Sequence, residues 1–384
     1  MKQDDIKAVA IVTSIHMDFD ARIWKHARAL AEAGVAVHLV CPWQVDGEHE
    51  RPGINFHTFR RVQRRALRPL LIPWRVFGAL RRCIGRVSIV HFHDIDLLPW
   101  MSMLSLFKPV VYDIHENYPE EMMVRDWVPD WARPLMFHGV RSAQWLLASV
   151  VRNLVLVADS QEADLPKRHV RKTYVRNYAT VALEEKVVQN HASRPDAVVF
   201  TGAHHVSNGS LLLLDIAQRL SRRRPGVPFY VTSRFASEDF RARFLAEVDR
   251  RALTDIVQVL PYVRPDEIMS VLGKATIAIT PNLRVTQQIN GVHTKLFEYM
   301  AAGLPIVASD LPHQVKVVGE EGVGLLAKPE DPESFVKCIE ELLDDREKAG
   351  RLGRRGREVF REKYSWESQM PRLREFYKAI LAGD

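Results

Sequence analysis

Short apolar runs alternate with amphipathic helical segments along this chain, and the whole pattern occurs twice. After a polar stretch at residues 184–196, a new strand begins at 198 and the alternation starts again. The predicted strands are 8–13, 37–41, 89–93, 110–114 and 154–158, then 198–201, 229–232, 257–260, 277–280 and 306–308. Alternation of this kind favours parallel sheets covered by helices on both faces, with ligands at the carboxyl ends of the strands. The sequence therefore predicts an α/β protein with two doubly wound domains, residues 1–185 and 195–365, followed by a helical segment in 366–384.

The size and the cysteine content agree with an ordinary two-domain protein. A chain of 384 residues is long for a single core. Cys41, Cys83 and Cys338 have no paired spacing, so neither a disulfide framework nor a zinc site is expected. The N-terminus is polar and unlike a signal peptide, and the longest apolar run is interrupted by Arg152 and Asn153. We therefore expect a cytoplasmic protein without a spanning helix.

The net charge of +7 has a local source in residues 60–86, which hold nine arginines and no acid. Between the arginines lie Leu70, Leu71, Trp74 and other apolar side chains. A basic segment with aromatic residues is typical of a membrane-surface anchor, and an arginine cluster is also compatible with nucleic-acid binding. A buried amphipathic helix with solvated arginines is the third interpretation. We favour an anionic membrane surface and predict as contact residues Arg68, Trp74, Arg75 and Phe77.

The stretch 290–310 is the most informative local pattern in the chain. It predicts a helix over 294–302 with Thr294 as N-cap, Gly303 just past the helix end, and a buried strand from 306. Lys295 lies in the first helical turn, where unpaired N–H groups favour an anion. Glu298 is on the same face, so one ligand could meet both side chains. An exposed Lys–Glu pair on a surface helix is the alternative.

Polar residues also follow the first predicted strand, in the turn where α/β domains hold ligands. His16, Asp20 and Arg22 form a His-x-x-x-Asp-x-Arg segment at this position. No Gly-x-Gly-x-x-Gly pattern is present, which argues against a dinucleotide cofactor. We predict that these residues bind a ligand. A capped helix with a surface arginine is the alternative.

Two further strand ends of the first domain carry candidate catalytic residues. Asp94 follows one strand and His115-Glu116 follows the next. Carboxyl ends of neighbouring parallel strands share one edge of the sheet, so these side chains are expected on a common rim. A histidine there can exchange a proton with a hydroxyl near neutral pH. Plain loop caps are the alternative.

The 290–310 stretch resembles the donor-site signature of family 4 glycosyltransferases, which are retaining enzymes of the GT-B fold. The family pattern places a Glu on either side of seven residues; Glu298 matches the second Glu and Asn290 stands at the first. The resemblance implies two Rossmann-like domains facing across a cleft, with the C-terminal helix crossing back to the first domain. It also implies that Glu298 binds ribose hydroxyls and that Val263 lies at the nucleobase. In the first domain it implies that His115 contacts the donor sugar, with Glu116 and Asp94 as its neighbours. His16, Asp20 and Arg22 are then expected to serve acceptor binding.

The first loop of the second domain departs from the family. Many members read Gly-Arg-x-x-x-x-Lys-Gly there, with cations that neutralise the diphosphate, whereas Ala203 and Asn208 take those places here. We expect Arg234 and Lys295 to supply the missing charge, as a leaving diphosphate needs it. No catalytic metal and no cofactor are expected, the nucleoside diphosphate sugar being a substrate.

The resemblance implies a glycosyltransferase that moves a sugar from a UDP- or GDP-linked donor to an acceptor hydroxyl with retention. The acceptor is expected to be a lipid-linked glycan or polysaccharide precursor, and the enzyme to be peripheral on the inner face of the cell membrane. An inverting GT-B transferase or a nucleotide-sugar epimerase is one alternative. A non-catalytic protein that binds nucleotide sugars or nucleic acid is the other, although nucleic acid is the less favoured partner.

Overall fold

A computed structural model of the chain describes residues 6–15, 21–43, 47–62, 68–124, 128–181, 194–263, 267–289 and 292–383. The chain forms two compact units. The first contains Met1–Asn177 and Gln369–Asp384, and the second contains Tyr178–Ser368. The second unit is thus an insertion between the body of the first unit and its last helix.

The first unit is built on an eight-stranded sheet in the order β3-β4-β2-β1-β5-β6-β7-β8. The strands pair in parallel except for β3, an edge strand that pairs antiparallel with β4. The sequence did not predict β3, β4 and β8, because their mixed polar and apolar residues form no continuous apolar run. The strands are β1 (Ala8–Val12), β2 (Ala36–Trp43), β3 (Gly47–Arg51), β4 (Ile54–Arg60), β5 (Ile89–Phe92), β6 (Val110–Ile114), β7 (Asn153–Leu156) and β8 (Arg171–Tyr174).

Three helices cover one face of this sheet. The helices of the unit's main segment are α1 (Ala21–Glu32), α2 (Arg68–Leu80), α3 (Leu98–Leu104), α4 (Tyr118–Val124) and α5 (Arg133–Val151). Side chains at alternate strand positions, such as Val12 and Phe92, pack in one buried cluster with Val76 of α2, Met101 of α3 and Ala148 of α5. We call this the α2–α3–α5 side. Successive strand residues point to opposite faces, so His91, between Val90 and Phe92, faces the other side.

The second unit is built on a parallel six-stranded sheet in the order β11-β10-β9-β12-β13-β14. Its strands are β9 (Val198–Phe200), β10 (Phe229–Thr232), β11 (Val257–Leu260), β12 (Ile277–Thr280), β13 (Ile306–Ser309) and β14 (Gly324–Ala327). Its helices are α6 (Ser210–Arg223), α7 (Glu238–Arg250), α8 (Ile268–Leu272), α9 (Thr286–Ile289), α10 (Lys295–Ala301), α11 (Pro312–Gln314), α12 (Pro332–Asp344) and α13 (Arg346–Val359). Buried clusters on both faces of the sheet make the unit doubly wound.

The last helix, α14 (Met370–Ala382), returns to the first unit. Just before it, the Gln369 side chain accepts from the Arg176 N–H at 2.6 Å and donates to the Arg176 carbonyl at 2.9 Å. Further along, the Tyr377 hydroxyl contacts His26 and His91. The predicted fold class, including a C-terminal helix that crosses back, is confirmed.

Candidate active site

A cavity of about 220 Å³ lies at the carboxyl edge of the second sheet. It is formed where β9, β10 and β11 end, and Glu298 of α10 closes one side. Three residues predicted at the donor site, Arg234, Val263 and Glu298, therefore line one pocket. In parallel sheets this is the edge where ligands bind.

Lys295 lies beside the Gly202 loop of this pocket, and its ammonium group is buried. Its Nζ atom is buried and makes no hydrogen bond to any residue that the structure describes. It lies 4.3 Å from the centre of the Phe200 ring, a cation–π contact. Burial lowers the pKa of this amine to about 8, although Glu298 acts in the opposite direction. A buried cation that lacks a close anionic partner is stabilised by binding an anion.

The loop under Lys295 is shaped to bring the backbone close. Gly202 has φ +101°, and a Cβ there would lie 3.3 Å from Cε of Lys295. The Tyr299 hydroxyl accepts a hydrogen bond from the Thr201 N–H at 2.9 Å, which fixes the loop from below. Glycine at 202 therefore leaves space for a ligand beside the ammonium.

Asn208 does not replace the missing cation of this loop. Its amide donates to the Ala203 carbonyl at 2.7 Å and accepts from Gln288 Nε2 at 2.8 Å. Gln288 also accepts from Asn282 Nδ2 at 2.6 Å, and its carbonyl contacts His293 Nε2 at 3.1 Å. Asn208 thus closes the loop, and Gln288 ties that loop to the segment that leads to position 290.

Two other residues, Thr294 and Asn290, are predicted at the donor site, and Thr294 does not line the pocket. Thr294 is exposed, has helical φ and ψ, and its side chain makes no capping hydrogen bond within the described chain. Thr294 therefore stands at the predicted N-cap position, but its side chain does not cap the helix. Because the helix is only two turns long, the predicted anion site depends on Lys295 rather than on the helix end. Asn290 lies outside the described residues. Gly303 has the left-handed φ of +66° expected just past the helix.

A larger cavity, about 570 Å³, lies in the first unit. It is lined by Val35, Ala36, Gly53 and Ile54, which stand at the amino ends of β2 and β4. Ligands of α/β sheets bind at the opposite edge, and none of the described residues that line this cavity carries a charge. Size alone therefore does not make it the candidate site.

The carboxyl edge of the first sheet brings the predicted rim residues together. The neighbouring strands β1, β5 and β6 end here, with Asp94 after β5 and His115 and Glu116 after β6. Asp94 accepts from the Thr13 hydroxyl and the Ser14 N–H, both at 2.7 Å, so it holds the loop after β1. The His115 ring contacts those of His93 and Tyr118 edge-on. His16 and Asp20 lie outside the described residues.

Arg22 is not presented to a ligand. It is buried and pairs with Asp113, with Nη2 at 2.9 Å from both carboxylate oxygens, and it also donates to the Val175 carbonyl at 3.0 Å. Burial would raise the pKa of Asp113, but Arg22 and the nearby histidines hold it well below its usual value. The structure therefore corrects the prediction of an acceptor-binding Arg22: its guanidinium is consumed by an internal ion pair.

Comparison with known proteins identifies the chain. A family model described as Glycosyltransferase Family 4 matches residues 21–154, and one described as Glycosyl transferases group 1 matches residues 195–345. The chain is a family 4 glycosyltransferase. The predicted family and the predicted enzyme class are confirmed.

Two named relatives are distant in sequence but span most of this glycosyltransferase. A D-inositol 3-phosphate glycosyltransferase of Paenarthrobacter aurescens is 23% identical, over 93% of this chain and 91% of the relative. An MMP alpha-(1->4)-mannosyltransferase of Mycolicibacterium hassiacum is 24% identical, over 78% and 72%.

Solved structures show the same GT-B fold. Sucrose-phosphate synthase from Thermosynechococcus elongatus is similar with a TM-score of 0.64 at 16% identity, covering 98% of this chain and 100% of that one. The Anabaena protein HepE in complex with UDP and glucose gives 0.63 at 12%, covering 96% and 98%.

The glycosyltransferase has two groups of side chains with metal-binding geometry among its described residues. In the first, His26, His91, His93 and Asp113 place ligand atoms within 4.8 Å of one another. Burial lowers the pKa of all three histidines, so they are neutral at neutral pH. Because Asp113 is already ion-paired with Arg22, an added cation would lie next to a positive charge, and this group does not fit a metal.

In the second group, the His38 and His57 rings are hydrogen-bonded to each other at 2.8 Å beside Cys83.

The predicted membrane residues of α2 divide between surface and interior. Trp74 is 79% exposed, whereas Phe77 is partly buried and packs against the core of the first unit, so the structure supports Trp74 more than Phe77 as a contact residue. Arg75 donates to the Arg60 carbonyl, and Arg68 donates to the Val62 carbonyl at 3.3 Å. The helical period of α2 explains the division, since Phe77 lies three residues from Leu80 on the inward face.

One acidic residue of the first unit was missed from the sequence. Asp96 accepts from the Ser14 hydroxyl at 2.6 Å, and burial together with the neighbouring Asp94 raises its pKa to about 6. A carboxyl group that titrates near neutrality can exchange a proton with a substrate hydroxyl. The signal was the Asp-x-Asp pattern formed by residues 94 and 96 directly after a strand.

Proposed function

We propose that this glycosyltransferase moves a sugar from a nucleoside diphosphate sugar to an acceptor hydroxyl, with retention at the anomeric carbon. The observation that carries the proposal is the buried Lys295 ammonium, which has no hydrogen-bond partner among the described residues and lies beside the Gly202 loop. A diphosphate at this position would pair with the ammonium. Arg234 lines the pocket to which Gly202 belongs and would supply a second positive charge.

The rest of the pocket fits the remainder of such a donor. Glu298 offers a carboxylate that can accept hydrogen bonds from ribose hydroxyls. Tyr262 and Val263 supply an aromatic and an apolar surface, and the backbone there can meet a nucleobase. The Anabaena relative by fold is described with UDP and glucose, and this supports UDP as a first ligand to test.

Retention would follow if the acceptor hydroxyl attacks the face from which the diphosphate leaves. The bond from the anomeric carbon to the diphosphate oxygen breaks, the bond to the acceptor oxygen forms, and the departing phosphate takes the hydroxyl proton. Lys295 and Arg234 would stabilise the charge that develops on the leaving oxygen. In this proposal the side chains carry that charge without a catalytic metal. We assign the acceptor to the carboxyl edge of the first sheet, where His115 keeps its predicted catalytic role with Glu116 and Asp94 as its neighbours.

We further propose a lipid-linked glycan or polysaccharide precursor as the acceptor, and an enzyme that works on the inner face of the cell membrane. Among the described helices none is long and apolar enough to cross a bilayer. The exposed Leu70 and Trp74 on α2, within an arginine-rich segment, support surface attachment.

Substitution of Glu298 tests the donor assignment. Glu298→Ala should lower sugar transfer from a UDP- or GDP-linked donor by about 100-fold or more, because hydrogen bonds to a charged group are lost. Glu298→Gln, which keeps shape and part of the hydrogen bonding, should lose less. Turnover is measured with the donor that most raises the thermal stability of the wild type. Normal turnover in the alanine variant would remove Glu298 from the donor site.

Proton NMR of the product distinguishes the chemical alternatives. An axial-to-axial course at the anomeric carbon supports retention, whereas inversion assigns the inverting mechanism. Conversion of the donor sugar to its epimer without transfer would identify an epimerase instead.

A further inference from the structure

Helix α5 turns an uncharged face to solvent. Leu135, Gly139, Ser142 and Leu146 follow at intervals of four, three and four residues, and all are exposed. Leu135 is 70% exposed and Leu146 is 59% exposed, and Trp145 beside them is also exposed. A surface helix normally carries charged residues on its outer face. At ~1.5 Å per residue, this face of a 19-residue helix is about 28 Å long.

Neighbouring segments extend the apolar surface. The Ser105 hydroxyl just after α3 reaches the Val150 carbonyl of α5 at 3.4 Å, and the exposed Leu106 and Phe107 follow. Helices α2, α3 and α5 pack on the same face of the sheet, so their outer surfaces belong to the same side of the unit. Twelve of the nineteen exposed large apolar side chains in the described chain belong to α2, to α3 with its following turn, or to α5 with its preceding turn. Such a concentration marks a binding surface.

The charges on this side favour an anionic partner. Residues 98–108 and 133–152 contain four cations, Lys108, Arg133, Arg141 and Arg152, and no acid. Arg133 and Arg141 pair with Asp130 and Asp164 at 2.7 Å, whereas Lys108 and Arg152 have no ion pair among the described residues. The segment of α2 adds arginines without acids. A two-fold contact between copies would bring these like charges together, which disfavours self-association.

The aromatic content identifies the partner as a bilayer surface. Trp74, Trp100, Trp131 and Trp145 are all exposed on these segments. Tryptophan concentrates where an apolar phase meets water, because its ring is apolar and its N–H is polar. Basic side chains beside it attract anionic headgroups.

We propose that the α2–α3–α5 side binds in the headgroup region of an anionic bilayer. The outer face of α5 would insert to the boundary between the headgroups and the acyl chains. The inference rests on the proposed membrane-borne acceptor, and it places the main apolar contact on α5, not on the arginine-rich α2. The enzyme would then lie with one side of its first unit on the membrane.

Vesicle flotation of the full chain tests this. Wild type is compared with Leu135→Glu/Leu146→Glu and with Leu381→Glu, a matched control at an exposed leucine of α14. Vesicles are phosphatidylcholine alone or with phosphatidylglycerol. The double variant should partition at least ~tenfold less onto anionic vesicles, because each leucine loses its apolar contact. The control should partition like wild type, and wild type should bind neutral vesicles less.

Two further readouts separate the outcomes. Stabilisation by UDP should be equal in wild type and double variant, so failure of the donor proposal would appear in both proteins and leave the membrane result readable. Equal vesicle binding by the double variant and wild type would overturn the proposal. So would a wild-type dimer in sedimentation that the double variant converts to monomer without a change in vesicle binding, because the face would then join two copies.

Discussion

The carboxyl edges of the two sheets carry similar polar side chains but satisfy their charges in opposite ways. In the first unit, Asp113 is buried against Arg22 and accepts a contact from His91 at 3.3 Å. In the second unit, Lys295 makes no ion pair with an acid among the described residues, and its ammonium lies 4.3 Å from the centre of the Phe200 ring, beside the Gly202 loop. At the first edge the buried acid already has its counter-charge within the fold, whereas at the second edge we propose that a bound anion supplies it. We call the first the closed edge and the second the open edge.

This difference separates two meanings of a buried charge. A buried charge that is paired within the fold has a structural role, because removing one partner leaves the other charge buried and uncompensated. A buried charge without a close partner lowers the stability of the ligand-free protein. Such a charge therefore indicates a site where a ligand of opposite charge binds. Sequence motifs alone do not distinguish the two, and both Arg22 and Lys295 looked like ligand-binding cations.

The largest effect is expected from breaking the Arg22–Asp113 ion pair at the closed edge. Asp113→Asn leaves the Arg22 guanidinium buried without its counter-charge and should reduce the free energy of unfolding by about 3–5 kcal/mol. Urea denaturation measures it. The control is Asp159→Asn, which removes an exposed acid paired with Arg176 and should cost less than about 1 kcal/mol. Equal losses in the two variants would contradict the distinction between the edges.

A smaller effect is expected from removing the buried ammonium of Lys295 at the open edge. Lys295→Met should weaken binding of a nucleoside diphosphate by about 30-fold or more, which is about 2 kcal/mol. The stability of the ligand-free protein should stay the same or increase, because a buried ammonium is removed. Calorimetric titration and thermal unfolding give the two quantities.

Lys274→Met, at an exposed lysine of the second unit, is the matched control and should leave both quantities unchanged. If Lys295→Met destabilises the free protein as Asp113→Asn does, Lys295 is a structural cation and the comparison fails.

The smallest effect is a pH dependence of the open edge. Burial lowers the pKa of Lys295 to about 8, so the amine is charged below that pH and loses its proton above it. Affinity for the diphosphate should fall as pH rises from 7 to 9, by at most ~tenfold per pH unit. Phosphate groups titrate near pH ~6 and stay ionised in this range. A flat profile in the wild type would disprove the titration, and Lys295→Arg should flatten it.

Local pattern predicted the repeated strands and helices well because burial and periodicity act within a few residues. The strands Val110–Ile114, Phe229–Thr232, Val257–Leu260 and Ile277–Thr280 match the prediction at both ends. Strands such as β4 and β8 escaped, since their place in the sheet is set by neighbours far away in sequence.

The site was only partly predictable for the same reason. Arg22 and Asp113 are 91 residues apart, so nothing local indicates that one neutralises the other. Glu298 and Val263 could be grouped through the resemblance to the family's donor site, and Arg234 because it follows a strand at the ligand edge; all three line one pocket. The burial of Lys295 depends on Phe200 and the loop after it, which only the folded unit brings together.

The position of α14 has a consequence for how the protein is made. Domains fold in turn as a chain leaves the ribosome, N-terminal parts first. Here the Tyr377 hydroxyl must reach His26 Nε2 at 3.1 Å and His91 Nδ1 at 2.7 Å. These contacts form only after α14 has been synthesised. The half of the enzyme that is translated first is therefore completed last, after the inserted second unit has had time to fold.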